Sequence, residues 1–163
     1  MKKNQVILAK DIDLIVYDFD GVMTDNRAIV FQDGTEAVIV NRADGLGVEC
    51  LRALKISQLI LSTETNPVVK VRAAKLGLEV ISSCNDKKNA LMDYCVKNGH
   101  KLQKVIYVGN DLNDLEVMKI VGFSIAPADA HPDIKFIAKL VTKAKGGEGV
   151  IREISSFFIA KTF

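Results

Sequence analysis

The sequence predicts one α/β domain, a doubly wound parallel sheet with a β-hairpin flap and no cap domain. Short apolar runs alternate with longer amphipathic stretches, as parallel βαβ units require. Several runs end in acidic or hydroxylated residues, as in sheets that bind ligands beyond their carboxyl ends. One β-prone stretch with a central Asp-Gly breaks the alternation and reads as a hairpin.

Candidate strands fall at Leu14–Asp18, Gln58–Ser62, Glu79–Ile81, Lys104–Val108 and Phe123–Ile125. Helix-like segments lie between them, at Gly45–Leu54, Pro67–Leu76, Lys87–Asn98 and Leu112–Val121. Gly99 and Gly122 are expected to stop the last two. The hairpin is Ala28–Phe31 and Ala37–Val40 around Gln32-Asp33-Gly34-Thr35. With no internal repeat or linker, residues 1–163 are assigned to a single domain.

Composition narrows the function. The chain is 48% hydrophobic and 26% charged, ordinary for a globular protein, and its net charge of +2 argues against a nucleic-acid binder. No apolar run approaches the ~20 residues that span a bilayer, and no signal-peptide layout opens the chain. The three cysteines, without CxxC spacing, read as reduced thiols of a cytoplasmic protein.

The strand ends carry the chemistry. Asp18 and Asp20 flank Phe19, and side chains two apart on an extended segment point the same way. Two carboxylates in one place repel unless a cation joins them, and Mg2+ prefers such oxygen ligands. Asp111 is a third candidate ligand, and Gly21 permits a sharp turn at which amides can approach a phosphate. A carboxylate can attack phosphorus directly, the role assigned here to Asp18, while Asp20 suits general acid–base work. Ser62 and Lys87 can donate to the phosphoryl group. Taken singly, Asp-x-Asp reads as a solvated turn, Ser62 as a strand-end hydroxyl and Lys87 as a surface lysine. Asp86 and Asn110-Asp111 read as helix caps. Together, at successive strand ends, they point to one site.

Asp18-Phe19-Asp20-Gly21-Val22-Met23-Thr24 resembles the first signature of the haloacid dehalogenase superfamily, whose phosphatases use that first Asp as nucleophile. Ser62 resembles its second motif, Lys87 its third and Gly109-Asn110-Asp111-Leu112-Asn113-Asp114 its acidic fourth. Many members carry an acid where this chain has Asn110. The resemblance therefore implies Asp18, Asp20 and Asp111 as Mg2+ ligands, with Asn110 and Asp114 behind them and Asp114 holding Lys87 or a metal-bound water.

Only the hairpin Thr24–Val40 follows the first motif, and about twenty residues separate Ser62 from Asp86, so the chain resembles the capless branch. That branch includes phosphatases of 3-deoxy-2-ulosonate phosphates and a domain fused to sialic-acid cytidylyltransferases. Asn41-Arg42-Ala43-Asp44-Gly45-Leu46-Gly47 is similar to its Arg-Asp-Gly segment, Ala126–Pro132 to its post-strand loop, and Gly146–Glu153 to its glycine-rich tail. The resemblance implies a homotetramer in which a neighbour's hairpin, and in some members its tail, completes the site. Thr24, Asn41, Arg42, Asp44, Gly45 and Thr63 are expected near substrate.

Octulosonate 8-phosphate phosphatases usually have Thr-Gly-Arg after the second motif, where this chain has Thr63-Glu64. Arg72 and Lys75, three apart on one helix face, could meet a sugar-acid carboxylate. Similar Glu, Arg and Lys positions occur in nonulosonate 9-phosphate phosphatases, so the resemblance implies a nine-carbon substrate ahead of an eight-carbon one. A non-catalytic oligomerisation module is the alternative of another class, and retention of Asp18, Asp20, Lys87 and Asp111 argues against it.

Overall fold

The computed structural model describes residues 8–159. Its six-stranded sheet has the order β5-β4-β1-β6-β7-β8, from Glu79–Ile81, Ser57–Leu61, Leu14–Tyr17, Val105–Val108, Phe123–Ala126 and Leu140–Val141. Every neighbouring pair is parallel. The chain runs outward from β1 in one direction and then returns to its other side at β6. The strand order therefore reverses between β1 and β6, where a crevice for ligands opens.

These strands are apolar on both faces because helices cover both. Alternation along β1 sends Ile15 and Tyr17 to one core and Leu14 and Val16 to the other. The first core is closed by α1 (Ala43–Ala53), α2 (Val68–Leu76) and α6 (Val150–Ile159). The second is closed by α3 (Lys87–Asn98), α4 (Leu115–Ile120) and α5 (Pro132–Ile137).

The expected strands and helices are present, with three differences. The last strand, α5 and α6 lie outside the expected elements: two and six residues are too few for a readable period, and α6 follows the glycine-rich tail where no helix is expected. The segment expected as one helix from Leu112 opens with a 3-10 turn, Leu112–Asp114, because Asp111 and Asp114 form a reciprocal cap there. Gly99 ends α3 in the left-handed conformation, whereas α4 ends one residue before Gly122, at an extended Val121.

The hairpin is β2 (Thr24–Val30) and β3 (Glu36–Val40), antiparallel and outside the main sheet. Its first strand begins four residues earlier than expected and carries a register shift between Thr24 and Ala28. The tip turns on Gly34 at φ 84°, with Asp33 Oδ1 accepting from the Thr35 amide. Only this hairpin separates β1 from α1, and only α2 separates β4 from β5, so no cap domain is present.

The α1–α6 contact depends on one buried charge. Asp44 is 1% exposed, and its Oδ1 accepts from the amides of Ile151 and Arg152 at 3.0 and 3.1 Å, in the first turn of α6. Gly47 lets the two backbones meet, since a Cβ there would lie 2.7 Å from the Ile151 carbonyl oxygen. Burial pushes the Asp44 carboxyl up to about 6, outweighing the two amides and the Arg72 charge. A folded-state pKa above the unfolded value of ~3.9 gives stability that is complete below that pH and lost as pH rises through the folded pKa. Asp44→Asn keeps an acceptor and removes the charge. Its stability relative to wild type should therefore rise by up to roughly 3 kcal/mol between about pH 4 and 7. Paired thermal melts at both pH values test this, and a constant difference would reject it.

Candidate active site

The reversal in strand order brings together residues that are remote in sequence. Asp18 follows β1 and stays tied to the sheet through its amide, which donates to the Val108 carbonyl on β6. The loop then folds back, with the amides of Val22, Met23 and Thr24 converging on the Phe19 carbonyl. Gly21 sits at φ 76°, and a Cβ there would run into the Asn110 side chain, so the first and fourth motifs interlock through this glycine. Gly146 and Gly147 press on the same loop from behind, the latter donating its amide to the Val22 carbonyl at 3.1 Å.

Lys87, the first residue of α3, points back under the sheet edge. Its Nζ lies 2.9 Å from Asp18 Oδ2 and 2.7 Å from Asp114 Oδ1, with all three side chains at most 5% exposed. Asp18 Oδ1 accepts from the Phe19 amide at 2.7 Å. Burial and the Asp114 charge nevertheless push the Asp18 carboxyl well above the usual range, against the pull of Lys87. The Lys87 ammonium is held above its ordinary value by Asp18 and Asp114, which outweigh burial. Asp114 accepts four hydrogen bonds: from Lys87, from the Tyr107 hydroxyl at 2.8 Å, and from the amides of Asn110 and Asp111. A Cβ at Gly109 would fall 2.6 Å from its carboxyl carbon, so only glycine admits it this close to the backbone.

A cavity of about 360 Å3 opens above this group, lined by Asp18, Asp20, Asp111, Asn26, Thr63, Asn110 and Asn113. Asp20 is half-buried, and burial and the Glu64 charge raise its carboxyl, against the Thr24 hydroxyl that donates to it at 3.4 Å. Thr24 is fully buried and its Oγ1 accepts the Gly21 and Asn26 amides, so it braces the loop and does not face the cavity. Ser62 is also buried. Its Oγ accepts the Glu64 amide at 3.1 Å, which leaves the hydroxyl proton uncommitted among the described residues.

The donor set suits a hard divalent cation. Three carboxylates line the cavity, and Asn110 Oδ1 is buried without a partner among the described residues. Among the described residues no three acidic, histidine or cysteine side chains stand close enough together to hold a metal ion by themselves. The fit thus rests on oxygen chemistry and on room for water and phosphate oxygens, which Mg2+ usually retains.

The expected substrate residues divide into two groups. Thr63 reaches the cavity at Asp18, and Glu64 lines an adjoining one of about 260 Å3 with Asp20, Asn26, Glu36 and Asn66. Arg42, Gly45, Arg72 and Lys75 instead line a cavity of about 410 Å3 that shares no residue with the catalytic one. Arg72 and Lys75 do not present themselves alike: Lys75 is exposed, whereas Arg72 is turned inward and donates to the Asn41 carbonyl at 2.9 Å. Its Nε has no partner among the described residues. Asp44, expected near substrate, is buried against α6.

Asn26 and Asn113 also line the cavity at Asp18, outside the expected site residues. Asn113 belongs to the fourth motif. Asn26 carried no signal in its spacing, and its position depends on a left-handed backbone, φ 63°, at the hairpin's register shift. Gly109→Ala should drive the Asp114 carboxylate off Lys87. Phosphatase activity is expected to fall at least about tenfold, roughly the loss of one charged hydrogen bond. Activity within about twofold of wild type would show that the approach is not required.

The family model of haloacid dehalogenase-like hydrolases matches residues 52–154. The 3-deoxy-D-manno-octulosonate 8-phosphate phosphatase KdsC of Escherichia coli K12 is 34% identical over 152 residues, covering 93% of this chain and 81% of its own. A solved HAD-family hydrolase candidate from Streptomyces avermitilis is 44% identical with a TM-score of 0.94, covering 98% of this chain and 91% of its own. The octulosonate 8-phosphate phosphatase of Moraxella catarrhalis, solved with magnesium, phosphate and KDO, is 31% identical with a TM-score of 0.89; the match covers 93% of this chain and 88% of its own. With these relatives matched over nearly the whole described sheet, the chain belongs to the haloacid dehalogenase-like hydrolases and is a phosphoric monoester hydrolase.

Proposed function

We propose that the protein is a Mg2+-dependent phosphatase of 3-deoxy-2-ulosonate phosphates, acting through an aspartyl phosphate on Asp18. The observation that carries this reading is the buried Lys87 ammonium shared by Asp18 and Asp114 beneath a cavity lined by three carboxylates. Asp18, Asp20 and Asp111 would hold the metal, which when bound screens their mutual repulsion and the charge of the phosphoryl group.

Asp18 attacks phosphorus, a carboxylate oxygen–phosphorus bond forms, and the bond to the sugar oxygen breaks. Asp20, half-buried at the junction of the two cavities, gives a proton to the departing alkoxide. It then takes a proton from the water that attacks the phosphoryl group, which releases phosphate and restores Asp18. Lys87 and the Ser62 hydroxyl donate to phosphoryl oxygens as charge builds there.

For the substrate, the nine-carbon 9-phosphates lead. Glu64, Glu36, Asn26 and Asn66 beside Asp20 offer acceptors and amides to a hydroxyl-rich leaving group. Arg72 and Lys75 supply cationic chemistry for a carboxylate, but from a separate cavity. They fit this role where a second subunit presents that cavity to the first one's site. The eight-carbon 8-phosphate is the second reading, favoured by relatives of that name. A homotetramer built on the hairpin suits both, because Ile29, Val30, Phe31 and Ile39 are each at least half exposed. Free thiols at Cys50, Cys84 and Cys95 suit a cytoplasmic setting, and no helix among the described residues is long and apolar enough to cross a membrane.

Phosphate release from the 9-phosphate and the 8-phosphate, with Mg2+ and with chelator, is the direct test. Release only with Mg2+, faster from the 9-phosphate, is expected, and Asp18→Asn should abolish it while leaving the thermal melt intact. Appreciable turnover by that variant would remove Asp18 as nucleophile. Arg72→Ala should impair a sugar-acid phosphate far more than a small aryl phosphate, and equal losses would take Arg72 out of carboxylate recognition.

A further inference from the structure

Tyr107 is the third residue of β6 and is fully buried. Strand alternation turns its ring toward α3 and α4, the side from which Lys87 and Asp114 approach. A buried tyrosine hydroxyl nearly always finds a partner. Here the partner is Asp114 Oδ1, the same oxygen that holds the Lys87 ammonium. Burial and the charges of Asp114 and Asp18 push the phenol well above its ordinary range, so it stays a neutral donor.

The four donors on Asp114 have different stiffness. The Asn110 and Asp111 amides secure Oδ2 alone. On Oδ1, Lys87 brings a flexible four-carbon stem and is drawn toward Asp18 as well, 2.9 Å away. Only Tyr107 offers a rigid ring set in the strand, with its hydroxyl 2.8 Å from Oδ1. Without that hydroxyl the carboxylate can pivot about Oδ2, and the ammonium moves with it.

We propose that Tyr107 is a positioning residue of the phosphatase reaction: its hydroxyl fixes the Asp114 carboxylate from the sheet side and so holds Lys87 against Asp18. The role matters most once Asp18 carries the phosphoryl group. Esterification takes the charge from the Asp18 carboxyl and weakens its grip on Lys87. Asp114 then remains as the anchor that keeps the ammonium on the phosphoryl oxygens, and Tyr107 keeps Asp114 in place. This inference rests on the phosphatase reading and on Lys87 as donor to the phosphoryl group.

Tyr107→Phe tests it, with Tyr17→Phe as control. Tyr17 is equally buried, but its hydroxyl donates to Gln58 Oε1 at 2.9 Å on the opposite face of the sheet. Each change removes one buried hydroxyl and keeps the ring. Steady-state rates on a small aryl phosphate and on the sugar-acid phosphates should show kcat of Tyr107→Phe reduced about tenfold to a hundredfold, the weight of a hydrogen bond to a charged group. Its KM and half-saturating Mg2+ should stay within about twofold. Both variants should show similar losses in melting temperature, and Tyr17→Phe should keep wild-type kcat. An unchanged kcat in Tyr107→Phe would make the hydroxyl merely structural and overturn the proposal. A loss in KM or in metal requirement instead of kcat would overturn it too. A wild-type protein inactive on every phosphate ester would defeat the phosphatase reading and this role together, whereas an active wild type with an unimpaired Tyr107→Phe defeats this role alone.

Discussion

The site depends on one ammonium buried where water does not reach it. Removing Lys87 from solvent costs several kcal/mol, on the order expected for any buried ion, unless carboxylates meet it closely. Asp18 and Asp114 do so at 2.9 and 2.7 Å. Two carboxylates about one ammonium leave a net negative charge, to which Asp20 and Asp111 add at the cavity wall. Burial first, and then the neighbouring carboxylates, push Asp18 and Asp20 upward, so the protein by itself holds an electrostatically unfinished site. A divalent cation and a phosphoryl group together bring the charge that completes it. In the proposed phosphatase, affinity for a phosphate ester and a requirement for metal would arise from the same imbalance.

Several unrelated-looking features serve to keep that imbalance in place. The parallel sheet sends β1 and β6 side by side, so Asp18 and the fourth motif lie on adjacent strand ends. Gly21 and Gly109 are required because the Asn110 side chain and the Asp114 carboxylate occupy the space a Cβ would take. The tail does comparable work at longer range. Glu153 accepts from the amides of Lys143 and Ala144, and Asp129 from that of Gly146, which sets the glycine pair against the Asp18–Thr24 loop. Asp44 joins α6, which follows this tail, to α1, which follows the hairpin. The loop that carries Asp18 is thereby gripped from the sheet, the fourth motif and the tail.

The sequence disclosed the fold and the acidic site because both are written in local terms. Strand ends occupied by Asp18, Asp20, Ser62 and Asp111 stand out against apolar runs, and parallel order follows from alternation. Tyr107 was illegible for the opposite reason: an aromatic residue in a core strand looks like packing, and only its hydroxyl's partner reveals another use. Arg72 and Lys75 show a different limit. Their spacing does place them on neighbouring positions of α2, but the surrounding packing turns Arg72 inward to the Asn41 carbonyl. Thr24 and Asp44 similarly read as contacts for substrate and prove to be braces, since burial depends on tertiary neighbours that no local pattern records.

What the chain leaves exposed bears on how the site becomes specific. A cavity roofed only by a hairpin stays open to water, where charges are screened and a carboxylate nucleophile is well solvated. The hairpin nevertheless displays Ile29, Val30, Phe31 and Ile39, side chains that a lone flap would have no reason to keep apolar. Burying them against another copy would remove apolar surface at roughly 25 cal/mol per Å2 and shut water out of a neighbouring cavity at the same time. In the proposed tetramer, stability and catalysis therefore share one surface. The cationic cavity of Arg42, Arg72 and Lys75 shares no residue with the one at Asp18, so the proposed carboxylate contact would need that assembly.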